Sequence, residues 1–180
     1  MDVWDRFEET FGVDIEHRRI GYMFLAREAD TAAQLEENVA MQREEGLDVE
    51  LLDPEAAADH SAIHAENYRK ATYRADDGVA DPHLALQGFV QAAQAEGAEV
   101  RTGVAVTGIR TAGGRAVAVE TDEGTIDAEY VVNAAGPWAG RVAEMVGLDL
   151  PISPQRRQVA VVEPERPVPE DSPLTFDMDT

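Results

Sequence analysis

The stretch VVNAAGPWAG, residues 131–140, constrains the fold more than any other part of the chain. Its two valines predict the end of a buried strand, and Ala134, Ala135 and Gly136 predict a tight turn. Pro137 favours the first turn of a helix, because proline has no amide proton to leave unpaired there. A buried strand that leads directly into a helix is typical of an α/β layer.

The turn in this stretch has two interpretations. Amide groups at the start of a helix form the positive end of its dipole, and small side chains leave them accessible to an anion or to the edge of a cofactor. Small residues are equally needed where a strand-to-helix turn packs closely against another backbone. The pattern by itself favours neither interpretation.

Patterns of helix and strand continue on both sides of this turn. The clearest helix start is Asp81-Pro82, where the aspartate accepts hydrogen bonds from unpaired amides. The apolar residues that follow at helical spacing predict a buried face, made of Leu86, Phe89, Val90 and Ala93. Other helices are predicted at 3–11, at 31–45 with Asp30 as the cap, and after Pro137. Strands are predicted at 19–26 and 48–53, at the start of 70–78 before a turn, on both sides of a turn within 98–109, at 116–121, at the end of 125–136 and at 156–164.

This order of elements predicts an α/β protein with two parts. Residues 1–75 read as an α+β segment, and residues 76–150 read as an α/β layer with an antiparallel meander attached. Residues 151–180 contain a return strand, RRQVAVVEP, followed by an acidic, proline-rich tail.

The charge of the chain restricts its partners. The net charge is -21, with 36 acidic residues spread along 180 positions and a single lysine, Lys70. Nucleic acid and anionic membranes would repel such a surface, so neither is an expected partner. Dense carboxylate with almost no lysine is typical of proteins from salt-accumulating halophiles, and we expect the chain to lose structure in dilute buffer.

Targeting and metal signals are weak. The N-terminal stretch MDVWDRFEET lacks the basic and apolar regions of a signal peptide, and no apolar run has the ~18 residues of a membrane helix, which favours the cytoplasm. The chain has no cysteine, which excludes disulfides and thiolate metal sites. His60 and His64 are four residues apart, as a helical metal pair requires, but no third ligand accompanies them and we predict no metal site.

Two adjacent arginine pairs stand out against the acidic background. Arg18-Arg19 and Arg156-Arg157 have the side chain that best holds a carboxylate or phosphate. The same pairs also serve to neutralise neighbouring acidic residues on the surface. The phosphate-binding fingerprint G-x-G-x-x-G and the Walker loop are both absent from the sequence.

Several segments, in order, resemble the flavoprotein amine and amino-acid oxidoreductases, the family of D-amino-acid oxidase, glycine oxidase, sarcosine oxidase and dimethylglycine dehydrogenase. RRIGYMFLA resembles a strand of the family's substrate domain, and LLDPEAAAD resembles the segment before a loop near its active site. The resemblance continues through DDGVADPHLALQGFVQAAQAEGAEVRTGVAVTGI and EYVVNAAGPWAGRVAEMVGLDLPISPQRRQVAVVEP. It implies part of a substrate-binding domain at 1–75 and part of a Rossmann-like FAD-binding domain at 76–150.

The resemblance also implies site residues. Val106 matches the position whose backbone meets the adenine edge of FAD. Ala134, Ala135, Gly136, Pro137 and Trp138 match the turn that passes close to the dinucleotide. The implied reaction is oxidation of a small amine or amino acid, such as sarcosine, glycine or dimethylglycine, with Arg156 or Arg157 holding the substrate carboxylate.

Two family segments have no counterpart in this sequence. In the family, the strand and Gly-rich loop that hold the pyrophosphate precede the equivalent of residue 1, and a segment that completes the flavin and substrate sites follows the equivalent of residue 180. The chain is therefore interpreted as an internal piece of such an enzyme. The alternatives are a non-catalytic subunit or orphan domain whose partner chain supplies the missing segment, and a flavoenzyme of the glycerol-3-phosphate dehydrogenase type.

Overall fold

The computed structural model describes residues 2–165 and 167–179. The helices are α1 (Asp2–Asp5), α2 (Phe7–Phe11), α3 (Ala29–Glu44), α4 (Pro54–Ala58), α5 (Pro82–Ala95) and α6 (Ala139–Glu144), with 3-10 turns at Ala65–Asn67 and Gly136–Trp138. The strands are β1 (Arg18–Arg19), β2 (Tyr22–Ala26), β3 (Glu50–Leu52), β4 (Lys70–Arg74), β5 (Gly78–Val79), β6 (Val106–Ala112), β7 (Arg115–Thr121), β8 (Gly124–Asp127) and β9 (Leu174–Asp177). Within these residues no helix is both long enough and apolar enough to cross a bilayer.

The chain divides into two compact units. The first unit comprises Met1–Ala98 with Glu163–Thr180, and the second comprises Glu99–Val162. The mixture of helices with open sheets confirms the predicted α/β class.

The first unit is built on a four-stranded sheet in the order β3-β4-β2-β9. β2 pairs antiparallel with β4 and parallel with β9, so it is the central strand. Because side chains alternate along a strand, Met23 and Leu25 point to one face, where they are buried with Ala57 and Ala71. Phe24 points to the other face and packs beside α3. The sheet is therefore covered on both faces within this unit.

A second cluster in the first unit joins α2 to α5. The Phe7 ring is buried and lies 4.6 Å from the Phe11 ring and 5.1 Å from the Phe89 ring. Gly88 allows this packing, because a Cβ at that position would lie 2.5 Å from the Phe7 ring. α5 begins as the sequence predicts, with Asp81 accepting hydrogen bonds from the amides of the first helical turn.

The N-terminus of α3 is capped from the far end of the chain. The Asp179 carboxylate accepts hydrogen bonds from the amides of Arg27 and Glu28, at 2.6 and 3.1 Å, and from the Thr31 hydroxyl. The Thr31 hydrogen bond, followed by the two amides, lowers the pKa of Asp179 below its ordinary value. The prediction that Asp30 is the cap was wrong, since Asp30 lies inside the first helical turn.

The second unit contains a three-stranded meander in the order β6-β7-β8, as predicted. Hairpin turns join its strands, and both pairings are antiparallel. The 3-10 turn Gly136–Trp138 and α6 follow, which confirms a helical segment directly after the small-residue turn.

Two strands predicted in the second unit are not formed. Residues 128–135 and 151–162 carry no strand, and Val132, Val159 and Val161 are 87%, 90% and 96% exposed. A strand requires a neighbour that satisfies its backbone groups, and the described residues place none beside these segments. The strand that returns to the first sheet is β9, within the tail where the sequence indicated none.

Two further expectations were wrong. The predicted buried face of α5 is exposed in part, with Leu86 at 61% and Phe89 at 42%, because α5 meets α2 through Ala85 and Gly88. The first of the two strands predicted within 98–109 is not formed, and strand pairing in this segment begins only at Val106.

Candidate functional site

The small-residue turn at 134–138 lies on the surface of the second unit. Ala134, Gly136, Pro137 and Trp138 are exposed, and Ala135 is half-buried. Gly136 has a φ of 53°, a left-handed conformation that favours glycine, and no atom would lie within 4 Å of a Cβ added there. The space beside Gly136 is therefore open to a ligand in this unit.

Gly140, at the end of the same stretch, is small for a different reason. It is buried, and a Cβ there would lie 2.8 Å from the backbone oxygen of Ile152. The two interpretations of the sequence thus apply to different positions. Close packing against backbone explains Gly140, whereas the open side of the turn at Gly136 fits an approaching molecule.

Trp138 presents an apolar ring beside this turn. Its side chain is 56% exposed, and no aromatic contact involves it within the described part of the chain. Its amide donates to the oxygen of Ala135 at 3.0 Å, which closes the 3-10 turn. Methyl groups, a glycine and an exposed indole give this surface the character of a wall for a flat, partly apolar ligand.

Asn133 holds the turn and was missed by the sequence analysis. Its side-chain nitrogen donates to the oxygen of Ala139 at 2.9 Å, and its side-chain oxygen accepts from the amide of Ala135 at 3.3 Å. An asparagine directly before a run of small residues is a known turn signal, because its side chain bonds to the backbone two residues on. That signal was present in the sequence.

Val106 begins strand β6 and is 44% exposed. Just before it, Ala105 donates to the Asp122 carboxylate at 3.0 Å, and Asp122 donates its amide back to the Ala105 oxygen at 3.1 Å. A register shift separates Val106 from Gly108. These contacts fix the start of the strand, and Val106 itself remains partly exposed to solvent.

The Arg156-Arg157 pair lies in an exposed segment without helix or strand. Arg157 donates to the Gln155 side chain at 3.3 Å. Elsewhere in the same unit, the Arg101 guanidinium donates to Glu99 at 2.7 Å and lowers the pKa of that carboxyl. Val106, the turn and the arginine pair all belong to the second unit, but no hydrogen bond or ion pair between described residues links the three.

The other sequence candidates lie in the first unit. Arg19 pairs with Asp5 at 2.5 Å and with Asp76 at 3.3 Å, which matches its interpretation as a neutralising residue. His60 follows α4, and its ring lies 4.3 Å from the Tyr73 ring, whereas His64 is beyond the turn and exposed. The two histidines do not share a helix, and the residues described contain no group of three or more potential ligands around a metal position.

A cavity of about 440 Å³ lies between α3 and the sheet of the first unit. Its polar side chains include Thr72, Arg74 and Asp77, together with Asn38 and Gln42 of α3, and Arg74 pairs with Asp77 at 2.5 Å. Its apolar side chains include Phe24 of β2 and Leu35 of α3. No residue that the sequence analysis assigned to the flavin or the substrate lines this cavity.

The sequence profile of the FAD dependent oxidoreductase family matches residues 1–179. The chain belongs to this family. Among curated family relatives, mitochondrial sarcosine dehydrogenase of Mus musculus is 29% identical over 162 residues, which is 87% of this chain and 18% of the relative. Subunit A1 of the anaerobic glycerol-3-phosphate dehydrogenase of Haloferax volcanii is 27% identical over 157 residues, 79% of this chain and 27% of the relative.

Among solved structures, the glycine oxidase of Geobacillus kaustophilus is 31% identical and superposes with a TM-score of 0.65. The superposition covers 83% of this chain and 40% of the oxidase. The chain therefore spans less than half the length of each of these three proteins.

The exposed turn fits the cofactor that defines the family. FAD is a large, partly aromatic dinucleotide, and its binding requires backbone that a ligand can approach closely. The open side of Gly136 and the exposed Trp138 ring provide such an approach. Ala134, Ala135 and Pro137 belong to the same turn.

Proposed function

We propose that this chain forms one wall of the flavin site, and part of the substrate site, of an enzyme that oxidises the C–N bond of a small amine or amino acid. Sarcosine, glycine and dimethylglycine are the substrates we favour. The observation that carries the proposal is the exposed turn 134–138, with its open side at Gly136, in a chain of the FAD dependent oxidoreductase family. The sarcosine dehydrogenase and glycine oxidase relatives support an amine over other substrates.

In this proposal the residues have separate tasks. The backbone of Val106 binds the adenine end of FAD, and residues 134–138 lie along the dinucleotide. Arg156 or Arg157 binds the substrate carboxylate, since a guanidinium matches a carboxylate with two parallel hydrogen bonds. FAD, when bound, supplies the hydride acceptor for the C–H bond next to the nitrogen.

The exposed valines of the second unit suggest that a further polypeptide segment covers them in the working enzyme. Val132, Val159 and Val161 lie outside any helix or strand and are almost fully exposed. Apolar segments of this kind are stabilised when another strand pairs with them and covers their side chains. We propose that this segment, on the same chain or on a partner, completes the flavin site.

Flavin binding and turnover test the proposal directly. The chain is purified in molar salt with FAD, alone and together with the completing segment, and the bound flavin spectrum is recorded before and after anaerobic addition of sarcosine, glycine or dimethylglycine. With the completing segment present, we expect bound flavin that an amine bleaches. Bound flavin without bleaching by any substrate would favour a non-catalytic subunit, and absence of flavin both from the chain and from its combination with the completing segment would contradict the assignment of the turn.

Glycerol 3-phosphate belongs in the same substrate panel. The similarity to a glycerol-3-phosphate dehydrogenase subunit favours this alcohol as the second candidate. Bleaching by glycerol 3-phosphate alone would replace the amine proposal with this one.

The arginine assignment is tested by the substrate KM. If either Arg156 or Arg157 binds the carboxylate, its replacement by alanine raises KM by about 10- to 100-fold, as expected for loss of a charge-assisted hydrogen bond. Arg115→Ala is the matched control, because Arg115 is exposed in the same unit at the β7 hairpin. If all three variants keep the wild-type KM, neither Arg156 nor Arg157 binds the substrate carboxylate.

A further inference from the structure

The side chain of Asn133 makes two hydrogen bonds, one inside the turn and one to the residue that follows it. Its oxygen accepts from the amide of Ala135 inside the turn, and its nitrogen donates to the oxygen of Ala139 where α6 begins. An amide oxygen only accepts and an amide nitrogen only donates, so one orientation of the group satisfies both contacts. The two hydrogen bonds therefore fix the same side-chain conformation.

The turn has few side-chain contacts that hold its shape. Two backbone hydrogen bonds close it, from the Trp138 amide to the Ala135 oxygen and from the Ala139 amide to the Gly136 oxygen, and the side-chain hydrogen bond to the turn comes from Asn133. Gly136 adopts a left-handed conformation with no neighbour against it. A backbone with such freedom loses entropy when a ligand orders it, and prior ordering reduces that loss.

Asn133 is exposed, so burial does not explain an asparagine at this position. Close packing does not hold the turn either, because the packed residue nearby is Gly140, which lies in α6 against the backbone of Ile152. Asn133 lies before the turn, in a segment without strand structure, and its side chain links Ala135 inside the turn to Ala139 after it.

We propose that Asn133 is a positioning residue that holds residues 134–138 in the conformation that contacts FAD. This inference rests on the proposed function, because it takes the turn as a flavin contact. It adds a residue outside the turn whose side chain, without touching the cofactor, sets the affinity for it. Deletion of the side chain leaves the turn residues unchanged but loosens the backbone that they present.

The first measurement uses the chain alone, in molar salt without FAD. In Asn133→Ala we expect the amide of Ala135 to exchange with solvent deuterium roughly 10-fold faster or more, as expected for loss of a hydrogen bond. Asn133→Asp keeps the acceptor for this amide and loses the donor to Ala139, so Ala135 should stay near the wild-type rate. Asn67→Ala is the matched control, since Asn67 is exposed in a 3-10 turn of the first unit.

The second measurement is the affinity for FAD, followed by quenching of flavin fluorescence. We expect Asn133→Ala to bind FAD roughly 5- to 50-fold more weakly, Asn133→Asp to be intermediate, and Asn67→Ala to match the wild type. Amide exchange in strand β7, which belongs to the same unit as Asn133, should be unchanged in all of them. This pattern separates positioning from a general loss of structure.

The outcomes are distinct. If the Ala135 amide exchanges at the wild-type rate in Asn133→Ala, Asn133 does not hold the turn. If exchange is faster but the FAD affinity is unchanged, Asn133 holds the turn but is not a positioning residue for FAD. A wild-type chain that binds no FAD, either alone or with the completing segment, would contradict the proposed function and the positioning role together, and the Ala135 exchange rates would still decide whether Asn133 holds the turn.

Discussion

The two units of this chain bury their apolar residues to very different extents. The first unit encloses Phe7, Met23, Leu25 and Val39 completely, whereas the buried apolar residues of the second unit are Ala118 and Ala143 within the described ranges. The second unit instead exposes valines that lie outside any helix or strand. Since burial of apolar surface is the main favourable term in folding, the first unit has its own source of stability and the second has much less.

The difference indicates how each unit relates to function. A unit with an enclosed core can fold around its own sheet, whereas exposed extended segments are suited to pairing with another polypeptide. The candidate flavin residues all lie in the second unit, whose surface is the more open of the two.

The largest expected contrast is in hydrogen exchange. Amides of the central strand β2 should exchange about 1,000-fold or more slowly than the Val161 amide, because β2 opens only with the core whereas Val161 lies in exposed backbone. Mass spectrometry of peptides from both regions measures the ratio. Strong protection across 157–162 in the isolated chain would mean that this segment pairs as a strand, and the contrast between the units would disappear.

Core truncation is the next largest effect. Leu25→Ala should lower the free energy of unfolding of the first unit by about 2–5 kcal/mol, because Leu25 is 1% exposed and its removal leaves a cavity. Val161→Ala removes apolar atoms that are already in water and should change it by less than about 0.5 kcal/mol. Urea denaturation in molar salt compares the two. Similar costs would contradict the assignment of the core to one unit.

A smaller effect concerns the helix caps of the first unit. Asp81→Ala should cost about 1 kcal/mol, because two amides at the start of α5 lose their acceptor. Asp30→Ala should cost less than about 0.5 kcal/mol, since Asp30 caps nothing. The free energies of unfolding decide this, and a larger loss in Asp30→Ala would restore Asp30 as the cap of α3.

The smallest effect is a dependence on acid. The pKa of Asp179 is lowered in the folded chain, so the carboxylate stabilises the fold above the ordinary aspartate pKa, and this contribution is lost as the pH falls through the folded value. Asp179→Asn should therefore show a shallower fall in urea midpoint between neutral and acidic pH than the wild type. Asp59→Asn, at an exposed position, is the control and should retain the wild-type slope.

Local sequence signals predicted those elements whose partners are near in sequence. Asp81-Pro82 starts α5, and the glycine-containing turns form the meander, because a cap or a hairpin needs only adjacent residues. For α3 the sequence predicted the helix and the wrong cap, since Asp179 lies 148 residues from Thr31. The apolar run at 131–132 also predicted a strand, but apolar content does not supply a hydrogen-bonding neighbour.

By itself, the sequence determined the α/β class, the family and the turn at 134–138, because these depend on residue types in a fixed order. Only the tertiary structure decided that Gly140 is small because it packs against backbone and that Gly136 faces open space. It also placed Asp179 at α3 and Asn133 across the turn. These features depend on contacts in the folded chain, and local helix and strand propensities do not specify such contacts.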